Sequence, residues 1–325
     1  MFSTLVLSAV TASLVAAAPH PNAALTPACK LTHHEGFGND TKTHTITSGR
    51  YNRTYAVNVP AGYNKKLGKR WPLILDFHGN SGTPWQQYIN SRYFDYAAGQ
   101  EYIAVYPAGV DESWQGASYS VKDANDLQFV TDLTAYLRTQ YCIDDDHVYA
   151  SGKSNGGGFV DLLACSKEGD QFAAFAMAAP ALYPDTKLSS CTKKRAILQS
   201  HGDKDETIPY HPGGKNGTGG PLPDITEWVS WWGRRTCGAK AKAEYSKDLG
   251  GYNTTIYSCG DYHEVIKHYQ VFELGHCWPS STSSNWDASD RYNQTKRRCL
   301  DKSLDFTPVV LDFFSKWDLQ NAPSN

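Results

Sequence analysis

The stretch VYASGKSNGGG, residues 148–158, joins an apolar run to a serine that stands among glycines. The run predicts a short strand, and the residues from Gly156 onward predict a helix. Gly152 and Gly156 allow the backbone a sharp turn around Ser154, which would lift the serine hydroxyl clear of the sheet. The alternative is an ordinary polar residue in a glycine-rich loop. The strand before the turn and the helix after it favour Ser154 as a nucleophile.

Apolar runs and helical patterns alternate along the rest of the chain. Nearly continuous apolar runs predict strands buried on both faces, and amphipathic stretches predict helices. The predicted strands lie within residues 71–79, 102–109, 172–182 and 195–202, and the predicted helices within 125–141, 224–237 and 307–317. We find no internal repeat and no long linker. This alternation predicts one α/β domain, in which a mostly parallel central sheet has helices on both faces.

A serine hydroxyl needs a base that takes its proton, and the base needs an acid that orients it. In hydrolases whose serine stands on such a turn, these partners follow the serine in the order acid, then histidine. The segment HGDKDETIPY, residues 201–210, follows a predicted strand and offers Asp203, Asp205 and Glu206. His276 follows the next predicted strand, which lies within residues 264–278. Each candidate therefore stands just past the carboxyl end of a strand, where open α/β sheets place their sites.

The segment HGNSG, residues 78–82, stands at the end of the first buried strand. Its glycines permit a close backbone approach, so the N–H of Asn80 or of Ser81 is a candidate oxyanion donor. The second donor would be the Asn155 N–H, at the start of the helix after Ser154. A plain tight turn is the alternative for residues 78–82. Trp85 follows directly and is a candidate substrate contact.

Five segments together resemble the secreted esterase family of polyhydroxybutyrate-depolymerase-like enzymes, fungal feruloyl esterases and some acetylxylan esterases. They are LDFHGNSG (75–82), YPAG (106–109), SGKSNGGG (151–158), HGDKDETIPY (201–210) and GHCWP (275–279). The resemblance implies an α/β-hydrolase fold and a serine esterase in which Asp205 supplies the acid. Asp203 is the second candidate for the acid, and its alternative role is to form the turn in this segment. We expect His201 to orient the acid-bearing loop and His268 to be a surface or structural residue.

Several features predict a secreted glycoprotein. Residues 1–18 are uncharged, apolar and end in small residues, which is typical of a signal peptide. Residues 19–325 are then expected to form one catalytic domain without a carbohydrate-binding module. The eight scattered cysteines predict disulfides, and their pairing stays open among 105 possibilities; they are Cys29, Cys142, Cys165, Cys191, Cys237, Cys259, Cys277 and Cys299. Asn39, Asn52, Asn216, Asn253 and Asn293 begin glycosylation sequons.

The charge balance argues against other partner classes. The 31 basic residues nearly match the 33 acidic ones, so there is no basic footprint for nucleic acid and no polybasic patch for a membrane. The acidic run at residues 144–147 matches no calcium-loop spacing. We therefore expect no metal and no cofactor, and a polysaccharide-linked or small ester as the partner.

The expected function is hydrolysis of carboxylic esters on plant cell-wall polysaccharide, with feruloyl groups on arabinoxylan as the first choice. Preference for an aromatic acyl group rests on the resemblance and on the aromatic-rich composition. Acetylxylan esterase and polyhydroxybutyrate depolymerase are alternatives with the same chemistry. A non-catalytic carbohydrate-binding glycoprotein is the alternative of another class.

Overall fold

The computed structural model describes residues 25–38, 44–281, 299 and 303–324. The predicted signal peptide lies outside these residues. The strands are β1 (Gly36–Phe37), β2 (His44–Ser48), β3 (Tyr51–Val59), β4 (Trp71–Phe77), β5 (Ile103–Pro107), β6 (Ile143–Lys153), β7 (Ala174–Ala178), β8 (Ala196–Gly202), β9 (Asn216–Gly217), β10 (Gly220–Pro221), β11 (Glu244–Ser246), β12 (Tyr252–Cys259) and β13 (Tyr262–Val271). The α-helices are α1 (Pro84–Ser91), α2 (Asp126–Gln140), α3 (Asn155–Ala164), α4 (Ile225–Cys237) and α5 (Phe306–Phe314).

One large sheet organises these elements. Its strands lie in the order β1-β3-β5-β4-β6-β7-β8-β13-β12-β11, and β2 pairs with β3. The six central strands from β5 to β13 pair in parallel, whereas the strands at both edges pair antiparallel. Four of the central strands, β4, β5, β7 and β8, are buried along nearly their whole length because both faces of the sheet are covered. The predicted α/β-hydrolase fold, with its mostly parallel sheet, is confirmed.

The turn around Ser154 is built from three neighbouring strands. Gly152 on β6 lies level with Phe77 at the end of β4 and with Met177 on β7, so the three strands end together. Helix α3 then leaves the turn and packs against the same strands. A Cβ atom on Gly156 would lie only 2.2 Å from the carbonyl oxygen of Phe77. Glycine is required there because the first turn of α3 touches the backbone of β4.

The sheet extends further than the apolar pattern predicts. Within residues 244–259 lie β11 and the whole of β12, which continue the sheet antiparallel from β13. Every residue of β11 is exposed, so its side chains carry no alternation of apolar and polar positions. These edge strands form because β13 offers a free row of backbone groups, which is information that the local sequence does not contain.

Four disulfides pair the eight cysteines, as expected for this scattered set. They are Cys29–Cys142, Cys165–Cys191, Cys237–Cys259 and Cys277–Cys299. Three of them close short segments of 22 to 26 residues, and the first links residues that are 113 apart. Among the described residues, no helix has the length and apolar character needed to span a membrane.

Candidate active site

Ser154 adopts a backbone conformation that residues other than glycine rarely adopt. Its φ of 57° and ψ of −122° lie outside the helical and extended regions. The surrounding backbone holds this conformation: the Ser154 N–H donates to the Ala178 carbonyl at 3.0 Å, and its carbonyl accepts from Gly158 and Ala181 at 2.9 Å. Strain of this kind persists only where neighbouring structure imposes it, and it is typical of functional sites. The half-buried hydroxyl of Ser154 stands at the tip of the turn.

Three side chains meet in one line of hydrogen bonds. The Asp205 carboxylate accepts from His276 Nδ1 at 2.7 Å, so this nitrogen carries the proton. His276 Nε2 is then an acceptor, and the Ser154 hydroxyl donates to it at 2.7 Å. The three residues lie in separate loops. In the chain, Asp205 is 71 residues from His276, and Ser154 is 122 residues from it. The geometry is the one in which a histidine can take a proton from a serine while a carboxylate holds its tautomer.

The environment of Asp205 suits an ionised acid. The side chain is buried, and its Oδ1 accepts from the N–H groups of Thr207 and Ile208 at 2.9 and 2.8 Å. Burial by itself would raise the pKa of Asp205, but the charge and hydrogen bond of His276, together with His201, hold it well below its usual range. Asp205 therefore stays a carboxylate that accepts from His276.

The other two acids considered for this role lie elsewhere. Asp203 Oδ1 accepts from the Glu273 N–H at 2.7 Å, which joins the loop after β8 to the loop after β13. Glu206 is exposed at the surface. Of the three candidates, the structure brings only Asp205 into contact with His276.

The loop after β4 lies against Ser154. A Cβ atom on Gly79 would be 3.2 Å from Ser154 Cβ and 3.7 Å from its Oγ. The Ser81 N–H donates to the Glu112 carbonyl at 2.9 Å, so it is not available to an oxyanion. The prediction that Ser81 could be an oxyanion donor is therefore corrected. The Asn80 N–H remains, together with that of Asn155, the first residue of α3.

Two buried side chains support this loop, and the sequence motifs did not identify their roles. Burial lowers the pKa of His78 to about 4, so the ring is neutral. Its Nδ1–H donates to the Gly79 carbonyl at 2.7 Å, while its Nε2 accepts from the Gly109 N–H at 3.0 Å. The Trp114 indole donates to the His78 carbonyl at 2.9 Å, and its backbone exchanges two hydrogen bonds with the Asn155 amide. No local signal marks Trp114, because its partners are far away in the chain.

Trp85 lies at the first turn of α1 with 47% of its surface exposed. Its ring packs at an angle against Phe37 and Tyr88, with centroid distances of 5.5 and 5.4 Å. These two contacts hold the indole at the surface on the segment that follows the Asn80 loop. Its role as a substrate contact stays a prediction.

The sequons divide into three groups. Asn52 and Asn216 are exposed, as a glycan would require. Asn253 is buried, and its Nδ2 donates to Tyr245 and Gln270 at 2.9 and 3.0 Å, so both amide hydrogens are used. The expectation of a glycan at Asn253 is therefore corrected. Asn39 and Asn293 lie outside the described residues.

Among the described residues, one group has the spacing of metal ligands: Asp161, Cys165 and Asp185. Cys165 is bonded to Cys191, and Asp185 forms a two-point ion pair with Arg235 at 2.6 and 2.7 Å. Two of the three possible ligands, the Cys165 sulfur and the Asp185 carboxylate, are therefore already engaged by these partners.

A mostly parallel sheet, a strained serine between a strand and a helix, and acid and histidine on later loops together define an α/β-hydrolase. Curated proteins of similar sequence are named as esterases. The chain is 29% identical over 228 residues to a bifunctional acetylxylan esterase/xylanase of Neocallimastix patriciarum, which covers 68% of this chain. It is 27% identical over 171 residues to feruloyl esterase B of Piromyces equi, which covers 50% of this chain. The resemblance to the esterase family predicted from the motifs is confirmed.

The chain spans 31% of the length of each of these two relatives. Among solved structures, an acetyl xylan esterase from Aspergillus awamori superimposes with a TM-score of 0.51 at 16% identity, over 73% of this chain and 94% of that one. This similarity shows the fold. No protein-family model matches the chain.

Proposed function

We propose that this chain is a serine esterase that hydrolyses carboxylic esters through an acyl-enzyme on Ser154. The observation that carries the proposal is the unbroken pair of 2.7 Å hydrogen bonds from Ser154 through His276 to Asp205. A non-catalytic carbohydrate-binding protein would have no need for a strained serine, a matched base and a buried carboxylate at one point.

The proposed reaction has two similar halves. His276 Nε2 takes the proton of Ser154 as its Oγ attacks the ester carbonyl carbon, and Asp205 stabilises the imidazolium. The carbonyl oxygen becomes an oxyanion that accepts from the N–H groups of Asn155 and Asn80. His276 then gives the proton to the departing alcohol. In the second half, water takes the place of the alcohol, and the acid is released from Ser154.

The proposed substrates are esters on plant cell-wall polysaccharide. Both curated relatives are named for such activities, acetylxylan esterase in one case and feruloyl esterase in the other. We put feruloyl groups on arabinoxylan first, because Trp85 offers an exposed aromatic face on the segment after the Asn80 loop. Acetyl groups on xylan are the second candidate, supported by the first relative's name, and polyhydroxybutyrate is the third.

We also propose that the protein works outside the cell. Four disulfides in the described structure suit an oxidising compartment, and the exposed sequons at Asn52 and Asn216 suit a secretory route. The predicted signal peptide at residues 1–18 belongs to the same proposal.

The test compares the purified protein with Ser154→Ala on p-nitrophenyl acetate, methyl ferulate, acetylated xylan and hydroxybutyrate oligomers. The variant is expected to lose at least about 1000-fold in kcat, because removing the nucleophile removes the acyl-enzyme route. Ser315→Ala, a surface serine at the end of α5, is the matched control and keeps full activity. A fluorophosphonate probe is expected to label Ser154. Full activity of Ser154→Ala, or a folded protein that the probe does not label, would overturn the proposal.

A further inference from the structure

A buried line of hydrogen-bonding side chains leads away from Asp205 between β8 and β13. Its members are His201 and Gln199 on β8, His268 on β13 and Tyr210 in the loop after β8, each at most 4% exposed. His268 lies level with Gln199 in the parallel pairing of the two strands, and Gln199 and His201 share one face of β8. The polar side chains are thus stacked side by side inside the sheet layer.

The Asp205 end sets the direction of the first bonds. His201 Nε2 faces two acceptors, the Ile208 carbonyl at 2.8 Å and Asp205 Oδ2 at 3.3 Å. A nitrogen that faces only acceptors must carry the proton, because its lone pair would be repelled. The other ring nitrogen, Nδ1, faces the Gln199 amide nitrogen, which is a donor, and accepts from it at 3.1 Å.

The remaining hydrogen bonds, as far as Tyr210, have the same direction. With its nitrogen directed at His201, Gln199 presents Oε1 to His268, whose Nδ1–H donates to it. His268 Nε2 is then an acceptor, and the Tyr210 hydroxyl donates to it at 2.7 Å. Burial lowers the pKa of His268 to about 3, so this ring stays neutral. Burial also raises the pKa of Tyr210, which therefore remains a donor.

Every bond in the line points the same way, from Tyr210 towards Asp205. We propose that Gln199, His268 and Tyr210 are positioning residues, which hold His201 in the tautomer whose Nε2–H faces the Ile208 carbonyl and Asp205 Oδ2, and thereby keep the Asp205 carboxylate aimed at His276. The inference rests on the proposed function, since it assigns these residues to the same reaction. None of the three touches Ser154, and they act only through His201.

Packing alone does not explain this choice of residues. Burying four polar side chains costs free energy unless each is hydrogen-bonded, and apolar side chains of similar volume would fill the space without that cost. The line meets the site at one oxygen: Asp205 Oδ2 accepts from His276 Nδ1 at 2.7 Å and lies 3.3 Å from His201 Nε2. A change in the His201 tautomer would put a lone pair against that oxygen and weaken its hold on His276.

The first experiment removes one hydroxyl. Tyr210→Phe keeps the ring and deletes the O–H, and Gln199→Glu keeps the shape but replaces the donor to His201 with an acceptor. On p-nitrophenyl acetate we expect Tyr210→Phe to lower kcat about threefold to tenfold with KM within about twofold, and Gln199→Glu to lower it further. Tyr149→Phe is the matched control: it also loses one buried hydrogen bond, from Tyr149 to the Trp317 carbonyl at 2.7 Å, and keeps kcat.

The second experiment reads the tautomers directly in the wild-type protein. Nitrogen-15 chemical shifts of the histidine rings at pH 8 are expected to show His201 protonated on Nε2 and His268 on Nδ1. In Tyr210→Phe the His268 signals are expected to shift towards the other tautomer. The opposite tautomer of His201 in the wild type, or a folded Tyr210→Phe with unchanged kcat, would overturn the inference. A protein without esterase activity whose tautomers are as expected would overturn the proposed function instead.

Discussion

Replacing Asp76 with asparagine is expected to remove the contribution of this carboxyl to the pH dependence of the protein's stability between pH 5 and 8. Asp76 stands near the end of β4 and is fully buried. Its Oδ1 accepts from Gln87 at 2.9 Å and from Ser151 at 2.7 Å, whereas its Oδ2 has no hydrogen-bond partner among the described residues. Burial outweighs these donors and raises the pKa of Asp76 to about 7.

The magnitude follows from proton linkage. In the unfolded chain an aspartate ionises at about pH 4, whereas Asp76 in the folded protein keeps its proton up to about pH 7. Between these values the folded state binds more protons, so the free energy of unfolding falls as the pH rises. About 3 pKa units at about 1.4 kcal/mol each give about 4 kcal/mol in all, of which about 3 kcal/mol is lost between pH 5 and pH 8.

Urea unfolding at pH 5, 6, 7 and 8 measures this loss in the wild type and in Asp76→Asn. Asparagine keeps the acceptor for Gln87 and Ser151 but cannot ionise, so the difference between the two proteins is expected to change by about 3 kcal/mol across this range. Asp261→Asn, at an exposed turn between β12 and β13, is the matched control and follows the wild type. Parallel pH profiles for the wild type and Asp76→Asn would refute the reasoning.

Two further predictions concern the loops of the site. Gly79→Ala places a methyl group 3.2 Å from Ser154 Cβ, so the loop must move. On p-nitrophenyl acetate we expect kcat to fall at least about tenfold, with a smaller change in KM. An unchanged kcat would contradict this prediction. Replacing Cys277 and Cys299 together with serine opens a 22-residue segment next to His276. The free energy of unfolding is expected to fall by about 3 kcal/mol, measured by urea unfolding, and an unchanged value would contradict the expected contribution of the disulfide.

Much of the fold and of the candidate site could be predicted from local patterns. The apolar run at residues 71–79 predicts a buried strand, and β4 occupies Trp71–Phe77. The pattern at residues 125–141 predicts a helix, and α2 occupies Asp126–Gln140, with the Asn125 side chain capping its first turn. The glycines around Ser154 predict its turn. These predictions succeed because hydrophobic periodicity, helix capping and the backbone conformations of glycine depend on a few consecutive residues.

Other features depend on contacts between distant residues. Apart from the family resemblance, nothing in the local sequence separates Asp203, Asp205 and Glu206. The position of the loop after β13 decides which acid contacts His276. The availability of Asn80 rather than Ser81 depends on the Glu112 carbonyl, some thirty residues away. The edge strands β11 and β12 form because β13 leaves an edge to pair with.

The sequence by itself determined the class of fold, the serine on its turn and the order in which its partners follow. Tertiary structure alone decided the cysteine pairing, the burial of Asn253 and the line of side chains from Tyr210 to Asp205. The physical reason is the parallel sheet. Its neighbours in space, such as Gln199 and His268, are 69 residues apart in the chain, so their hydrogen bonds arise only when the strands come together.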